Sequence, residues 1–499
     1  MPMIRYILIF LFLLSLTSGN TSGYFEISQL VQRSYEAVTS LRLQRADSLI
    51  EELHFKEPDN MMAFWLENYR DCLTIFISED PALYENRKKE KKSRLMQVEQ
   101  GDPFSPYYLH LQAEIHFQWA IVRLKFRDYL MSAWEIKKAY SLLFQNVEMY
   151  PEFAASKRTL AIIKALIGMV PDNLQWVVKL VGMEGSIGEG MAEIKEVLRH
   201  TAGSDFLLHK ETQIVYAYMI AHLEQKPGES WDYIHSLGLR PTENPMECFV
   251  LANLAMRAGL NEETLRILEN RPTGSGFYPV THLLFMEGVA RLYRLDEDAD
   301  VSLLKFISQT KGQHYIKVAY QKLAWHALIN GSAEKYHTYM DKCKMEGSAL
   351  LEEDEQALRE ARYGLVPDKR LLSARLLFDG GYYQEAYNIL VRHAKEIQLD
   401  ENNKIEFAYR MGRICHALKN DREALFYYDL TIETGRYEGD YFACNATLMA
   451  GSIWESMLEN EKAEIYYRRC LEILPDEYRN SIHQKAKAGL YRLAAKTTN

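Results

Sequence analysis

Apolar residues recur at helical spacing along most of the chain, and several of these segments stop shortly before a proline. Three of them, 46–58, 139–151 and 463–475, each run for thirteen residues from an alanine to a proline. Because proline cannot donate a backbone hydrogen bond and disfavours helical backbone in the residue before it, each proline marks a helix end. No stretch alternates apolar and polar residues over the length of a strand. The pattern predicts an all-α protein.

The helical pattern also repeats. Marker residues of segment 407–433 recur in segment 447–473 at a constant offset of 39 residues. Small and aromatic residues recur in step, namely Gly412 with Gly451, Ala424 with Ala463, and Tyr428 with Tyr467. We expect the small residues to lie where two helices approach closely, with the aromatic ring filling the space beside them. One hairpin cannot bury its apolar face alone, so several must stack.

This pattern resembles the tetratricopeptide repeat (TPR), a hairpin of two antiparallel helices about 34 residues long. The last unit carries the small, aromatic and proline residues of that family: Gly451, Ala463, Tyr467, Cys470 and Pro475. Looser helical hairpins are predicted in five further segments: 34–60, 250–270, 282–308, 320–343 and 370–394. The resemblance implies an all-α, TPR-like solenoid of stacked antiparallel helix hairpins.

The first 23 residues differ from the rest of the chain. Arg5 precedes an apolar run over 6–14, and small polar residues follow it. This is the arrangement of a secretory signal peptide, and the run is shorter than the roughly 20 apolar residues of a spanning helix. We therefore predict a signal peptide over 1–23 and an exported protein of the periplasm or cell envelope. An uncleaved anchor is the alternative.

Composition and sequence motifs argue against several classes of function. A net charge of −9 over 499 residues implies no bulk attraction to nucleic acid. The six cysteines are widely spread without a CxxC motif, so we expect buried free thiols and no metal site. The HExxH, GxSxG and Walker motifs do not occur, so neither an enzyme nor a cofactor is predicted. The basic segment 86–94 is interpreted as a solvated helix face.

One predicted hairpin, over 159–200, is unusually apolar and ends in several glycines, which we interpret as turn residues before a helix that starts near Ser186 or Glu189. Its marker residues are Leu166, Pro171, Leu180, Gly182, Gly185, Gly190 and Met191. They resemble a hairpin of a eukaryotic TPR family that is related to a mitochondrial outer-membrane protein and involved in clearing inclusion bodies. The resemblance implies an all-helical fold and transfers no compartment. We expect a buried helix pair, with a partner-docking surface or peripheral membrane contact as alternatives.

In TPR proteins the first helix of each unit lines a concave groove, and the resemblance places the groove positions in this sequence. Three consecutive units supply the candidate partner-binding residues: Asp368, Arg375, Phe378, Glu406, Tyr409, Arg413, His416, Asn445, Ser452 and Glu455. Such a mixture of charged and aromatic side chains suits an extended peptide or a partner helix. An ordinary solvated face is the alternative at any single position. We expect that replacing Tyr409 and Arg413 weakens binding with little change in stability.

The sequence thus predicts an exported TPR scaffold that mediates protein–protein interaction, with no catalytic residue and no metal ligand. Four parts follow the signal peptide: N-terminal helical repeats over 24–158, the apolar hairpin over 159–200, divergent repeats over 201–365 and TPR repeats over 366–499. Two other functions stay open. One is a membrane-associated or lipid-handling protein acting through 159–182, and the other is an enzyme hidden in 100–300.

Overall fold

The structure is a computed structural model that describes residues 23–170, 182–436 and 439–497. The predicted signal peptide, up to residue 22, and residues 171–181 of the apolar hairpin lie outside the described residues. Within the described residues the regular elements are 26 helices, and no strand occurs. The prediction of an all-α protein is confirmed.

The helices are short and follow one another closely along the chain. In chain order the first thirteen are α1 (Gln29–Thr39), α2 (Leu43–Lys56), α3 (Met62–Ser78), α4 (Pro81–Arg87), α5 (Glu90–Val98), α6 (Pro106–Lys125), α7 (Tyr129–Met149), α8 (Ala154–Gly168), α9 (Ile187–His200), α10 (His209–His222), α11 (Pro227–Ser236), α12 (Pro245–Arg257) and α13 (Asn261–Glu269). The other thirteen among the described residues are α14 (His282–Tyr293), α15 (Ala299–Gln309), α16 (Ile316–Ile329), α17 (Ala333–Met345), α18 (Glu352–Tyr363), α19 (Lys369–Asp379), α20 (Tyr383–Arg392), α21 (Ala394–Ile397), α22 (Glu401–Ala417), α23 (Asp421–Gly435), α24 (Phe442–Ser456), α25 (Asn460–Glu472) and α26 (Arg479–Thr497).

The chain divides into two compact units. Unit 1 comprises the chain up to Ala258 together with Arg266–Leu283 and Gln309–Gly312. Unit 2 comprises Gly259–Leu265, Leu284–Ser308 and the chain from Gln313 onward. The division into five parts that the sequence suggests stays a prediction.

The same tight turn joins the two helices of many hairpins. Six hairpins of the described chain share two features of this turn, and the first is that the residue two positions before the second helix has a φ between 58° and 85°. The next backbone amide then donates to the carbonyl five residues earlier, which is a Schellman-type closure of the first helix. The six turn residues are Leu41, Arg127, Gly331, Gly381, Lys419 and Leu458. Only two of them are glycine, so hairpin packing imposes this backbone on four L-residues that disfavour it.

Small residues allow the paired helices of unit 2 to approach closely. Four buried small residues stand nine positions before the second helix of their hairpins: Ala324, Ala374, Gly412 and Gly451. A Cβ atom added to Gly412 would lie 2.6 Å from the Tyr428 ring, and one on Gly451 would lie 2.8 Å from the Tyr467 ring. The close helix approach and the aromatic filling beside it, both predicted from the repeat pattern, are confirmed at these two hairpins.

The first helices of the hairpins in unit 2 stack in order. Helix α16 contacts α19, α19 contacts α22, and α22 contacts α24. The C-terminal helix α26 packs on both α24 and α25 and covers the end of this stack. Helix α25 ends at Glu472, three residues before Pro475, as the proline pattern predicts. Such a stack gives each hairpin only its neighbours to pack against, which is the arrangement of a helical repeat protein.

The described half of the apolar hairpin belongs to the core of unit 1. Helix α8 packs against α7 and α9, and Leu160, Ala161 and Ile163 are at most 4% exposed. The expectation of buried helix is therefore met for most of 159–168, whereas Leu166 is 37% exposed. Ser186, predicted near the start of the next helix, caps α9 by accepting a hydrogen bond of 3.2 Å from the Glu189 amide.

The glycines of this hairpin do more than form turns. A Cβ atom on Gly190 would lie 2.5 Å from the Ala161 carbonyl oxygen, and one on Gly185 would lie 2.6 Å from the Lys164 Cα. Only a residue without a side chain allows α8 and the start of α9 to approach this closely. The interpretation as simple turn residues is therefore wrong for Gly185 and Gly190, whereas Gly182, with a φ of 71° and nothing within 4 Å of an added Cβ, agrees with it.

The basic segment 86–94 is also only partly solvated. Lys91 forms an ion pair with the buried Glu135, and Arg94 Nη2 lies 2.6 Å from Asp71 Oδ2. Both cations are less than 10% exposed, and burial lowers the pKa of Lys91. The prediction of a solvated face was therefore wrong for Lys91 and Arg94, which belong to the polar part of the unit 1 core.

Candidate partner-binding site

The candidate site lies on the first helices of four hairpins in unit 2. The residue eight positions before the second helix is equivalent in all four hairpins: Trp325, Arg375, Arg413 and Ser452. Because α16, α19, α22 and α24 contact one another in order, these equivalent positions repeat along one side of the stack. We call this side the first-helix face.

Cationic side chains stack on aromatic rings along this face. The guanidinium carbon of Arg375 lies 4.7 Å from the Trp325 ring centre, and that of Arg413 lies 4.1 Å from the Phe378 ring centre. Lys322 Nζ lies 3.5 Å from the Trp325 ring centre. Cation–π contacts of this kind contribute about 0.5–2 kcal/mol each and restrict the cation to one geometry. These five residues form what we call the cation–aromatic row.

The arginines of the row remain partly open to solvent and are incompletely balanced by carboxylates. Asp379 Oδ2 lies 4.0 Å from Arg375 Nε, at the limit of an ion pair, and the two side chains are 31% and 37% exposed. Burial works to lower the pKa of Arg375, but Tyr441 and Asp379 outweigh it, so the pKa is raised. Arg413 is half-buried, and burial works to lower its pKa, but Tyr409 and Asp379 outweigh this effect and raise the pKa. Both arginines therefore carry a full charge that a ligand can reach.

The lysine of the row behaves differently. Burial, reinforced by the positive charge of Arg375, lowers the pKa of Lys322 to about 7, while Glu360 and Asp379 act in the opposite direction. Glu360 is already engaged, since it accepts hydrogen bonds of 2.6 Å from both Trp325 Nε1 and Gln321 Nε2. Near neutral pH the charge of Lys322 therefore responds to proton concentration or to an anion bound nearby.

Tyr409 supports the row from inside the stack. Its ring centre lies 5.8 Å from the guanidinium carbon of Arg413, and its hydroxyl accepts a hydrogen bond of 2.6 Å from Asn445 Nδ2. Tyr409 is only 1% exposed, so the expectation that it can be removed with little loss of stability is wrong. Direct contacts thus join four of the predicted residues, Phe378, Tyr409, Arg413 and Asn445. A fifth, Arg375, belongs to the same row through its contact with Trp325.

Three of the other five predicted residues make contacts within their own helix or at its start. Asp368 caps α19 by accepting hydrogen bonds of 2.8 and 3.3 Å from two backbone amides. Glu406 forms an ion pair with Arg410 one turn along the same helix. Ser452 donates a hydrogen bond of 2.9 Å to a carbonyl within α24. These contacts stabilise individual helices. The cation–aromatic row is therefore the part of the first-helix face that is best placed to contact a ligand.

His416 and Glu455 contact the second helices and the C-terminal helix. The His416 ring meets Tyr428 edge-on at 6.1 Å, and burial lowers the pKa of His416. Glu455 accepts a hydrogen bond of 2.7 Å from the Tyr467 hydroxyl and contacts of 3.0 and 2.7 Å from Arg492. Both residues therefore join helices within the stack.

Lys322 and Trp325 are parts of the row that were not among the predicted site residues. The segment 320–343 was predicted as a helix–turn–helix, but its register within the repeat was not assigned. A usable signal exists, because aligning Ala324 with Ala374 puts Trp325 in the position of Arg375. That alignment extends the face by one hairpin.

A cavity of about 110 Å³ lies in unit 1, outside the segment 100–300. It is lined by Leu43, Asp47, Arg70, Asp71, Thr74, Leu83 and Arg87. Arg70 forms ion pairs with both Asp47 and Asp71, and the volume is below the roughly 300 Å³ of small-molecule sites. Across the part of the chain that the structure describes, no group of His, Cys, Asp or Glu is placed to hold a metal ion. No helix in that part is long and apolar enough to cross a membrane.

No protein-family model and no curated protein matches this sequence. Among solved structures, the chain is similar to human IFIT1 in a dimer with m7Gppp-AAAA, with 13% identity, a TM-score of 0.28, and coverage of 90% of this chain and 91% of that one. It is also similar to a chain of the APC/C hetero-tetramer Cut9–Hcn1, with 10% identity, a TM-score of 0.23, and coverage of 92% and 96%. A third similarity is to Naa15/Naa10 bound to HypK-THB, with 11% identity, a TM-score of 0.23, and coverage of 94% and 79%. TM-scores this low assign no function to the chain.

Proposed function

We propose that the protein is an exported, TPR-like scaffold of the cell envelope that binds a protein partner along its first-helix face. The bound segment is an extended peptide or a helix that carries carboxylate side chains. The observation that carries this proposal is the cation–aromatic row, in which Arg375 and Arg413 occupy equivalent positions of successive hairpins.

The row suits recognition because its cations are already held in position. Long arginine side chains normally lose conformational freedom on binding, which opposes association. Here Phe378 and Trp325 restrict them before a ligand arrives. A planar guanidinium can then accept a carboxylate in a two-point, charge-assisted contact, and arginine and tryptophan are typical of residues that dominate binding energy. A carboxylate-bearing segment that crosses these two hairpins would meet Arg375 on one and Arg413 on the next.

Export is supported by the apolar run that follows Arg5 in the sequence. The proposal places the first-helix face outside the cytoplasm, where the partner segment would be encountered. Expression of the full chain in a host with an export pathway tests this part. The mature protein should begin near residue 24 and appear in the envelope fraction, whereas an intact N-terminus in the cytosolic fraction would contradict export.

The binding part is tested with labelled peptides of one length and of acidic, neutral or basic composition, using fluorescence anisotropy on the full chain. Acidic peptides should bind best, and Arg413→Ala should weaken that binding roughly tenfold or more. The matched control is Arg468→Ala on α25, an exposed cation that pairs only with Glu464 of its own helix in the contacts described. An equal loss in both variants would indicate bulk charge and contradict a site on the first-helix face. A thermal melt of each variant shows whether the fold is retained.

A further inference from the structure

Two buried thiols meet inside the last hairpin. Cys444 on α24 and Cys470 on α25 have Sγ atoms 3.8 Å apart, and both residues are 0% exposed. All six cysteines are buried, as predicted, but among the described residues only this pair brings two sulfur atoms into contact. Cys248 and Cys343 instead direct their thiols toward backbone carbonyls. The pair is therefore chemically different from the other four cysteines.

The backbones of Cys444 and Cys470 are close to each other, as their sulfur atoms are. Cys444 Sγ lies 3.5 Å from the Cys470 carbonyl oxygen, and Cys470 Sγ lies 3.4 Å from the Cys444 carbonyl oxygen. Cys470 also occupies a small-residue position of the repeat pattern, where two helices approach most closely. A disulfide requires sulfurs about 2.05 Å apart on backbones that are already close. From their separation of 3.8 Å, the two sulfur atoms must therefore approach each other by about 1.75 Å.

We propose that Cys444 and Cys470 are joined by a disulfide when the chain folds in an oxidising environment. One thiolate attacks a small-molecule disulfide such as oxidised glutathione, which forms a mixed disulfide and releases one thiol. The second thiolate then attacks the protein sulfur of that mixed disulfide, which forms the Cys444–Cys470 bond and releases a second thiol. Two electrons and two protons pass from the protein to the oxidant.

The burial of the pair fixes when this reaction occurs. An oxidant cannot reach either sulfur once the hairpin and α26 have packed, so the bond forms during folding. Asn445, next to Cys444, holds the Tyr409 hydroxyl beneath the cation–aromatic row. Stacked repeats open first at their ends. A bond at this position therefore keeps the end of the first-helix face closed. This inference is independent of which ligand the face binds.

The test is refolding of the full chain from denaturant in a glutathione redox buffer, with a matched sample refolded under reductant. Remaining thiols are alkylated, and the digested protein is analysed by mass spectrometry. We expect linked peptides that contain Cys444 and Cys470, with the other four cysteines alkylated. Amide hydrogens of α25 should exchange about a hundredfold more slowly in the oxidised sample.

Two variants control the assignment. Cys415→Ser should retain the linked peptides, and Cys444→Ser should lose them. Because the wild-type chain itself is mapped, the result does not depend on a variant that folds. Alkylation of all six cysteines in the oxidised sample, or a dominant link between any other two cysteines, would overturn the proposal.

Discussion

Replacing Gly451 by alanine tests whether a clamped aromatic ring sets the spacing of the last hairpin. A Cβ atom at Gly451 would lie 2.8 Å from Cδ1 and Cε1 of Tyr467. The opposite edge of that ring lies against Gly489 of α26, where an added Cβ would be 2.5 Å from Cε2. Tyr467 is 1% exposed, and its hydroxyl donates to Glu455 at 2.7 Å. The ring therefore cannot move away from a new methyl group without displacing α26.

The magnitude follows from two opposing effects. Carbon atoms in contact prefer a separation of about 3.5–4.0 Å, so the methyl group would overlap the ring by roughly 1 Å. Overpacking of this kind costs about 1–3 kcal/mol, whereas alanine stabilises a helix interior by about 1 kcal/mol relative to glycine. Gly228, near the start of α11, provides the matched control because nothing lies within 4 Å of its added Cβ. Gly228→Ala should stabilise by roughly 0.5–1 kcal/mol, so the two substitutions should differ by about 1–3 kcal/mol.

Urea unfolding of both variants gives the change in the free energy of unfolding. Hydrogen exchange shows which helices are destabilised. For Gly451→Ala, faster exchange should be confined to α24, α25 and α26, because stacked hairpins couple mainly to their neighbours. If Gly451→Ala stabilised the chain as much as Gly228→Ala, the clamped ring would not set the helix spacing. Faster exchange throughout unit 2 would contradict a repeat stack.

Two further predictions concern backbone strain and a buried cation. Lys419 has a φ of 63°, so Lys419→Gly should raise the free energy of unfolding in urea by about 0.5–1 kcal/mol, and a decrease would show that the turn is unstrained. Lys322, with a pKa of about 7 in the folded chain, is charged more often in the unfolded chain between pH 7 and about 10. Its contribution to stability therefore rises with pH across that window, and Lys322→Met should flatten this rise and stabilise the protein near pH 7. Parallel curves for wild type and variant in urea unfolding at pH 7, 8 and 9 would refute the assignment.

The helical fold and the hairpin packing could be predicted because their signals are local. The spacing between Gly451 and Tyr467 lies within one hairpin, and proline after α25 acts on its immediate neighbours. The turn was less predictable, since Lys419 and Leu458 adopt backbone that sequence rules reserve for glycine. Hairpin closure outweighs their intrinsic preference.

The candidate site could be predicted only in part. Register along the repeat gives the positions of Arg375 and Arg413, but the stacking of Arg413 on Phe378 depends on how one hairpin is rotated against the next. No local spacing encodes that rotation. For the same reason, the sequence of the basic segment 86–94 gave no sign that Lys91 is buried, because the helices that bury it are distant in sequence.

Site-specific photo-crosslinking of the full chain tests whether a partner segment binds along the first-helix face. A photoreactive residue replaces Ser452, the last-hairpin equivalent of Arg413, or Ile465, which is 62% exposed on the second helix α25. Each full-length protein is irradiated with the labelled acidic peptide. We predict a crosslink from position 452 that excess unlabelled peptide removes, and none from position 465. Equal labelling of both positions, or labelling of position 465 alone, would contradict the claim.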